Sequence, residues 1–283
     1  MRPFLLPLIA VLAAVVAVGS PRDARASVVS ADHLDLELVS EHAALVPGAR
    51  AWLGLRLRHA AHWHSYWINP GDSGLPTRLA WTLPQGWRAG DVAWPAPTRF
   101  EVGGLYNFGY DGDVLLPMPL EVPVDAVPGT IARLGVEVRW LVCREECVPG
   151  TATLALDAPI AAHAGASPAA ARFAAARLAL PQPATWTGSA RREGERIAIT
   201  LRGDDLSAHG GLDVFARERR VLGNAPPMIR REGDMLIIDA PVSDVFDESP
   251  ATLTLVLTNG SAAAREVRVP FESVSPPPRS PSR

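Results

Sequence analysis

The sequence predicts an all-β protein made of two β-sandwiches joined by a short helical linker. Three observations carry this expectation. Short runs of alternating apolar residues recur in both halves of the chain, turn residues separate them, and one Ala-rich stretch at residues 167–180 interrupts them. Short strands without intervening helices pack sheet on sheet, because each strand has one apolar face to bury.

The 283-residue chain opens with Arg2, an uncharged apolar run at residues 4–18, and Ser20-Pro-Arg-Asp-Ala-Arg-Ala26. A positive end, an apolar core and an Ala24-Arg25-Ala26 site follow the order of a secretory signal, so residues 1–26 are expected to be removed after Ala26. The apolar run is shorter than the roughly 20 residues that span a bilayer. No other stretch is long and apolar enough to be a transmembrane segment, and export places the chain where disulfides persist. The formal charge is −3, and residues 1–26 hold three Arg against one Asp, so the exported chain is more acidic still. That balance argues against nucleic acid as a partner. Every basic residue is Arg and none is Lys, a bias of composition more than a binding surface.

The first sandwich is expected at residues 27–158, with alternating strands at 34–38, 52–57 and 136–142. The linker spans 159–184. In it Ser167 stands at the cap of an Ala-rich helix, Pro168 at its first position and Pro181 at its stop. Strand patterns resume in a second, smaller sandwich at 185–273, with runs at 197–201, 212–215, 235–238, 252–257 and 266–271. Between the last two, Thr258-Asn-Gly-Ser261 has the composition of a type I′ hairpin turn. Residues 274–283 are Pro-rich and are expected to form an extended tail.

Both cysteines lie in Trp140-Leu-Val-Cys-Arg-Glu-Glu-Cys-Val-Pro-Gly150. Alternation puts Val136, Val138, Trp140 and Val142 on the core face and Cys143 on the other, with Glu137, Arg139 and Leu141. Thr151-Ala-Thr-Leu-Ala-Leu156 reads as the returning strand. With Arg144-Glu145-Glu146 as the loop, the cysteines oppose each other where Cα atoms are about 4.5–5.5 Å apart, which suits a disulfide. So short a loop removes little unfolded-state entropy, so the bond stabilises little, and an exposed disulfide exchanges readily. Arg144 favours a thiolate, whereas Glu145 and Glu146 oppose it. Spacing alone leaves a reactive pair and a structural one equally open.

His62-Trp-His64 would put two imidazoles on one face of a strand, and with Cys143 and Cys147 they could form a copper or zinc site. The competing reading makes them polar residues of an aromatic strand. Met118, a soft ligand in the first reading, fills a core gap in the second. Asn69-Pro-Gly-Asp-Ser-Gly74 reads as a structured turn, with Asp72 and Ser73 shaping a cysteine pocket; Tyr66 and Trp140 are further candidates for its walls. No hydrolase triad, phosphate loop or carboxylate pair placed for glycoside cleavage is present.

Taken in order, His64-Ser-Tyr-Trp-Ile-Asn-Pro-Gly-Asp-Ser-Gly-Leu-Pro76, Trp94-Pro-Ala-Pro-Thr-Arg-Phe100, Tyr106-Asn-Phe-Gly-Tyr110 and the cysteine segment resemble the periplasmic N-terminal domain of the DsbD and ScsB thiol–disulfide reductases. The resemblance covers roughly residues 30–158. It implies an immunoglobulin-like sandwich in the periplasm, whose only redox group is a Cys143–Cys147 pair cycling between dithiol and disulfide. It also implies thioredoxin-like partners, a membrane-embedded electron donor, and Cys147 as the partner-facing sulfur. An aromatic cap loop shields the cysteines in the family; Tyr106, Phe108 and Tyr110 match it in position, with Phe108 the first choice. Full-length family members continue into a membrane domain and a thioredoxin-like domain, so electrons are expected to reach this chain from another polypeptide. A copper-binding protein using His62, His64 and the cysteines, and an adhesive module with a structural disulfide, are the alternatives.

Overall fold

The computed structural model describes residues 25–203, 206, 212–259 and 263–272. The expected leader core, part of the Asn259-Gly260 turn and the Pro-rich tail lie outside the described residues. The first half contains β1 (Arg25–Ala26), β2 (Val28–Ala31), β3 (Leu34–Ser40), β4 (Arg50–His59), β5 (His64–Gly71) and β6 (Arg78–Thr82). It continues with β7 (Arg88–Ala89), β8 (Thr98–Val102), β9 (Leu105–Asp111), β10 (Asp113–Glu121), β11 (Ile131–Cys143) and β12 (Cys147–Pro159). After α1 (Ala170–Ala179) come β13 (Gln182–Pro183), β14 (Thr187–Glu193), β15 (Arg196–Arg202) and β16 (Asp213–Ala216). The last strands are β17 (Met228–Glu232), β18 (Met235–Pro241), β19 (Thr252–Thr258) and β20 (Arg265–Glu272).

Two sheets form the first half, one ordered β2-β3-β4-β10-β7 and one β1-β12-β11-β5-β9-β8 with β6 on β11. They share one core. Leu34, Leu36 and Leu38 of β3, Leu53, Leu55 and Leu57 of β4, and Met118 of β10 meet Trp67, Val136, Val138, Trp140 and Val142 from the other sheet. The period-two alternation read from the sequence is therefore the buried face of each strand. β1 ends at the expected cleavage point. Ser27, just beyond it, holds β12 by itself, its Oγ accepting from Ala155 N at 2.8 Å and its N donating to Ala155 O at 3.1 Å.

The helix begins two residues later than its sequence signals suggest. Ser167 Oγ donates to Ser40 O at 2.6 Å and accepts from Ala169 N at 3.0 Å, so it closes a turn against β3 ahead of the helix. Phe173 and Ala176 then bury against Val39 and Leu115 on the outer face of the five-stranded sheet. Arg177 forks onto Glu41, and Leu180 turns extended before Pro181. The linker is thus docked along its helix.

The second half departs from the expected two-sheet sandwich. It is one eight-stranded sheet, β16-β19-β20-β14-β15-β18-β17 with β13 on β20. A short parallel pairing, Ala190↔Phe271 and Arg191↔Glu272, joins its two antiparallel parts, and the sheet curls over its own core of Ile197, Ile199, Leu236, Leu253 and Val269. The β19–β20 ladder runs from Thr252↔Pro270 to Leu257↔Arg265.

β16 and β19 serve both halves. Val214 and Ala216 face the second core, whereas Phe215 between them belongs to the first. Opposite it in register, Val256 does the same, between Leu255 and Leu257. Strands buried on both faces read as near-continuous apolar runs, and Leu253-Thr-Leu-Val-Leu257 is one. Polar contacts reinforce the junction: the buried Asn69 donates through Nδ2 to Ala216 O at 2.8 Å, and Arg99 forks onto Asp213. Among the described residues, no helix is long and apolar enough to cross a membrane.

Candidate redox site

The β11–β12 hairpin pairs without interruption from Ile131↔Pro159 to Cys143↔Cys147. Its loop is Arg144-Glu145-Glu146, as the sequence suggests, closed by Arg144 N donating to Glu146 O at 3.1 Å. Near the tip, the Trp140 indole lies across Gly150, its register partner. A Cβ there would stand 2.2 Å from the ring, so only glycine fits. The two cysteines form a disulfide with Cα atoms 4.2 Å apart. They are not equivalent, since Cys143 is 3% exposed while Cys147 is open to solvent.

Register parity shows what covers Cys143. Antiparallel partners share a face, and so do residues two apart on a strand. Cys143 pairs with His64, His64 with Asp111, and Tyr66 with Gly109. Phe100 pairs with Asn107, two residues from Gly109, and so joins His64 and Tyr66 on the cysteine face. The rings confirm the parity. Phe100 stacks on His64 at 4.6 Å and 14°, and Tyr66 meets His64 edge-on at 5.3 Å. The Tyr66 hydroxyl lies 3.7 Å from Cys147 Sγ. Burial pushes the Tyr66 phenol upward, so it stays protonated as a donor. Gly74, at φ +93°, leaves room for the Tyr66 ring, which a Cβ would strike at 2.2 Å.

Tyr106, Phe108 and Tyr110 alternate with these residues and occupy the opposite face of β9. Phe108 is 3% exposed and packs against Phe215 at 5.0 Å, with the Arg99 guanidinium 4.8 Å over its ring. Tyr110 donates to Pro95 O at 2.7 Å from a buried site that raises its pKa well above the ordinary value. Of the aromatics on the β8–β9 hairpin, the one on the cysteine face beside Tyr66 is therefore Phe100, one strand earlier than the expected cap. Its signal was in the sequence: Gly103-Gly104, both at positive φ, forms the two-residue β8–β9 turn that sets its parity.

Residues 35–159 match the family described as thiol:disulfide interchange protein DsbD, N-terminal. Residues 35–159 are a domain of the DsbD N-terminal type. The N-terminal periplasmic domain of ScsB from Proteus mirabilis has a similar structure, with a TM-score of 0.66 at 20% identity, covering 86% of this chain and 96% of that one. The match reaches past the DsbD domain into the second half and establishes a shared fold. A chimeric titin Z1Z2 (10% identity, 84% of this chain and 97% of that one, TM-score 0.19) and domains 5-6 of the S-layer protein SbsC (7% identity, 89% and 100%, TM-score 0.21) align too loosely to carry an argument. No curated relative matches the chain.

The remaining candidates of the DsbD domain fall into place around the hairpin. Asp72 braces the β8–β9 hairpin: its Oδ2 accepts from Tyr106 N at 2.7 Å and its Oδ1 from Asn224 Nδ2 at 2.8 Å. Ser73 Oγ donates to Asn107 Oδ1 at 2.8 Å. Trp140 lies on the core face, across the sheet from Cys143. His62 does not share a strand with His64, because it occupies an exposed turn at φ 69° and β5 begins only at His64. Met118 is fully buried in the core. Among the described residues, no group of three or more His, Cys, Asp or Glu side chains is placed to hold a metal ion.

Arg99 and Phe215 escaped sequence reasoning. Arg99 is 8% exposed, and its guanidinium meets Asp213 at 2.5 Å, donates to Val214 O at 2.9 Å and to Asn224 O, and lies 5.0 Å over the Phe215 ring. Phe100, its neighbour on β8, faces the disulfide. One short strand therefore joins the second half to the cover of the cysteines.

Proposed function

We propose that this protein is a periplasmic thiol–disulfide exchange module with an immunoglobulin-like redox domain. It relays electrons between a membrane reductase or thioredoxin-like donor and periplasmic thiol proteins through Cys143 and Cys147. The observation that carries this reading is the asymmetry of a single disulfide in a DsbD-type domain, with Cys143 buried and Cys147 exposed. An exchange protein needs one sulfur that a partner's thiolate can reach and a second, protected sulfur that resolves the mixed disulfide from within. Cys147 answers the first need and Cys143 the second. Tyr66 donates toward Cys147 when that sulfur leaves the mixed disulfide as a thiolate, and Phe100 restricts access until a partner displaces it. Export by the N-terminal signal supplies the compartment.

The experiment is trapping. Cys143→Ala leaves the reachable sulfur without its resolver, so a reducible adduct with a thioredoxin-like protein accumulates, whereas Cys147→Ala forms none. If neither variant traps a partner and loss of both cysteines alters only stability, the bond is a staple and the reading fails.

A further inference from the structure

His64 begins β5, and its register partner on β11 is Cys143. Such partners stand side by side on one face, with Cβ atoms about 4.5–5.5 Å apart. The imidazole is 3% exposed beneath Phe100, and its Nε2 is buried with no hydrogen-bond partner. His59, the neighbouring buried histidine, has both nitrogens engaged, Nδ1 with Gly112 O at 2.9 Å and Nε2 with Ser65 Oγ at 2.8 Å. The fold thus satisfies one buried imidazole and leaves the one beside the disulfide unsatisfied. Buried polar atoms without partners are rare because they are costly.

The oxidised state explains the vacancy. A disulfide sulfur has no hydrogen to donate, whereas a thiol does. We propose that His64 Nε2 accepts the Cys143 S–H in the reduced protein and thereby biases the couple toward the dithiol. Reduction breaks the S–S bond and adds two electrons and two protons, taken from a dithiol that becomes a disulfide itself. One proton goes to each sulfur. The Cys143 proton lies toward Nε2, with the ring's own proton on Nδ1. The imidazole stays a neutral acceptor at neutral pH, because burial first and His59 second lower its pKa to about 4, against the opposing pull of Asp111. The titratable groups around it are Asp111 on β9, His59 on β4, Tyr66 on its own strand, and the two cysteines; Phe100 of β8 adds no charge.

The inference rests on Cys143 and Cys147 being a redox couple, but on no protein partner. It is tested by equilibrating the full chain in buffers of reduced and oxidised dithiothreitol and counting alkylated thiols. His64→Phe keeps an aromatic ring under Phe100 and removes the acceptor, so its equilibrium should move toward the disulfide by roughly five- to tenfold. His64→Gln, which retains an acceptor, should recover part of the shift. In the unaltered protein, the 15N resonance of His64 Nε2 should move upfield on reduction while that of His59 stays. Equal equilibrium constants for the parent and His64→Phe would overturn the proposal, with exchange left standing. So would an unmoved Nε2 resonance, a measurement that holds if the variant fails to fold. A pair that no dithiothreitol ratio reduces would sink the exchange reading itself.

Discussion

Phe100 and Phe108 belong to one hairpin but face opposite ways, and their truncation should separate access from stability. Phe100 is half-buried and stacks on His64 beside Cys143. Losing a stacked aromatic contact of about 0.5–1.5 kcal/mol should raise the rate of disulfide reduction by small thiols roughly two- to tenfold in Phe100→Ala. Phe108 fills the junction with Phe215, so Phe108→Ala should lower stability by about 3–5 kcal/mol and leave the reduction of the folded protein unchanged. Stopped-flow reduction and denaturant melts distinguish the two. The reverse assignment would restore Phe108 as the cover. The disulfide was legible in the sequence because alternation from Val136 to Val142 fixes the face and end of one strand. The cover was signalled only by the Gly103-Gly104 turn, because the position of that turn, and not strand alternation alone, decides which aromatic shares the cysteine face. His64 was legible as a residue to notice, but the unpaired nitrogen exists only once three strands and Phe100 enclose it.

At the scale of elements, β8 connects two environments through adjacent residues. Arg99 is fixed from the second half by Asp213, Val214 O and Asn224 O, while Phe100 faces the disulfide. Asp72 fixes the next strand by accepting from Tyr106 N and Asn224. A hairpin held at its base opens less often than a free one, since opening must first break these contacts. Asp213→Ala strands a mostly buried guanidinium and removes its bidentate partner. The disulfide should then be reduced faster by small thiols, by a smaller factor than in Phe100→Ala, although the substituted residue is in the other half of the chain. Identical reduction rates for Asp213→Ala and the parent would mean that the cover moves independently of this anchor. The sequence offered no hint of the coupling, because an Arg in one strand and an Asp more than a hundred residues later carry no shared pattern.

Over the whole molecule, the decisive feature is a strand pair with a core on each side. The sequence places strands at 212–215 and 252–257 and reads them as part of a separate sandwich. Alternation along one strand cannot say that both of its faces will be covered. In the structure, Phe215 and Val256 complete the core of the DsbD domain, and Trp67 and Phe108 meet Phe215 edge to face at 6.2 and 5.0 Å. Neither half can unfold without exposing apolar surface of the other. Thermal unfolding of the full chain should therefore be a single transition, the same by near-UV signal from the tryptophan-rich first half and by far-UV signal from both halves. Phe215→Ala removes the shared ring at a cost of about 3–5 kcal/mol. Because the loss falls on the contact between two cores, it should also separate the transition into two, with the first half melting at the lower temperature. A parent protein that already melts in two steps, or a Phe215→Ala variant that melts in one step at an unchanged temperature, would show that the second half is carried along without bracing the redox domain.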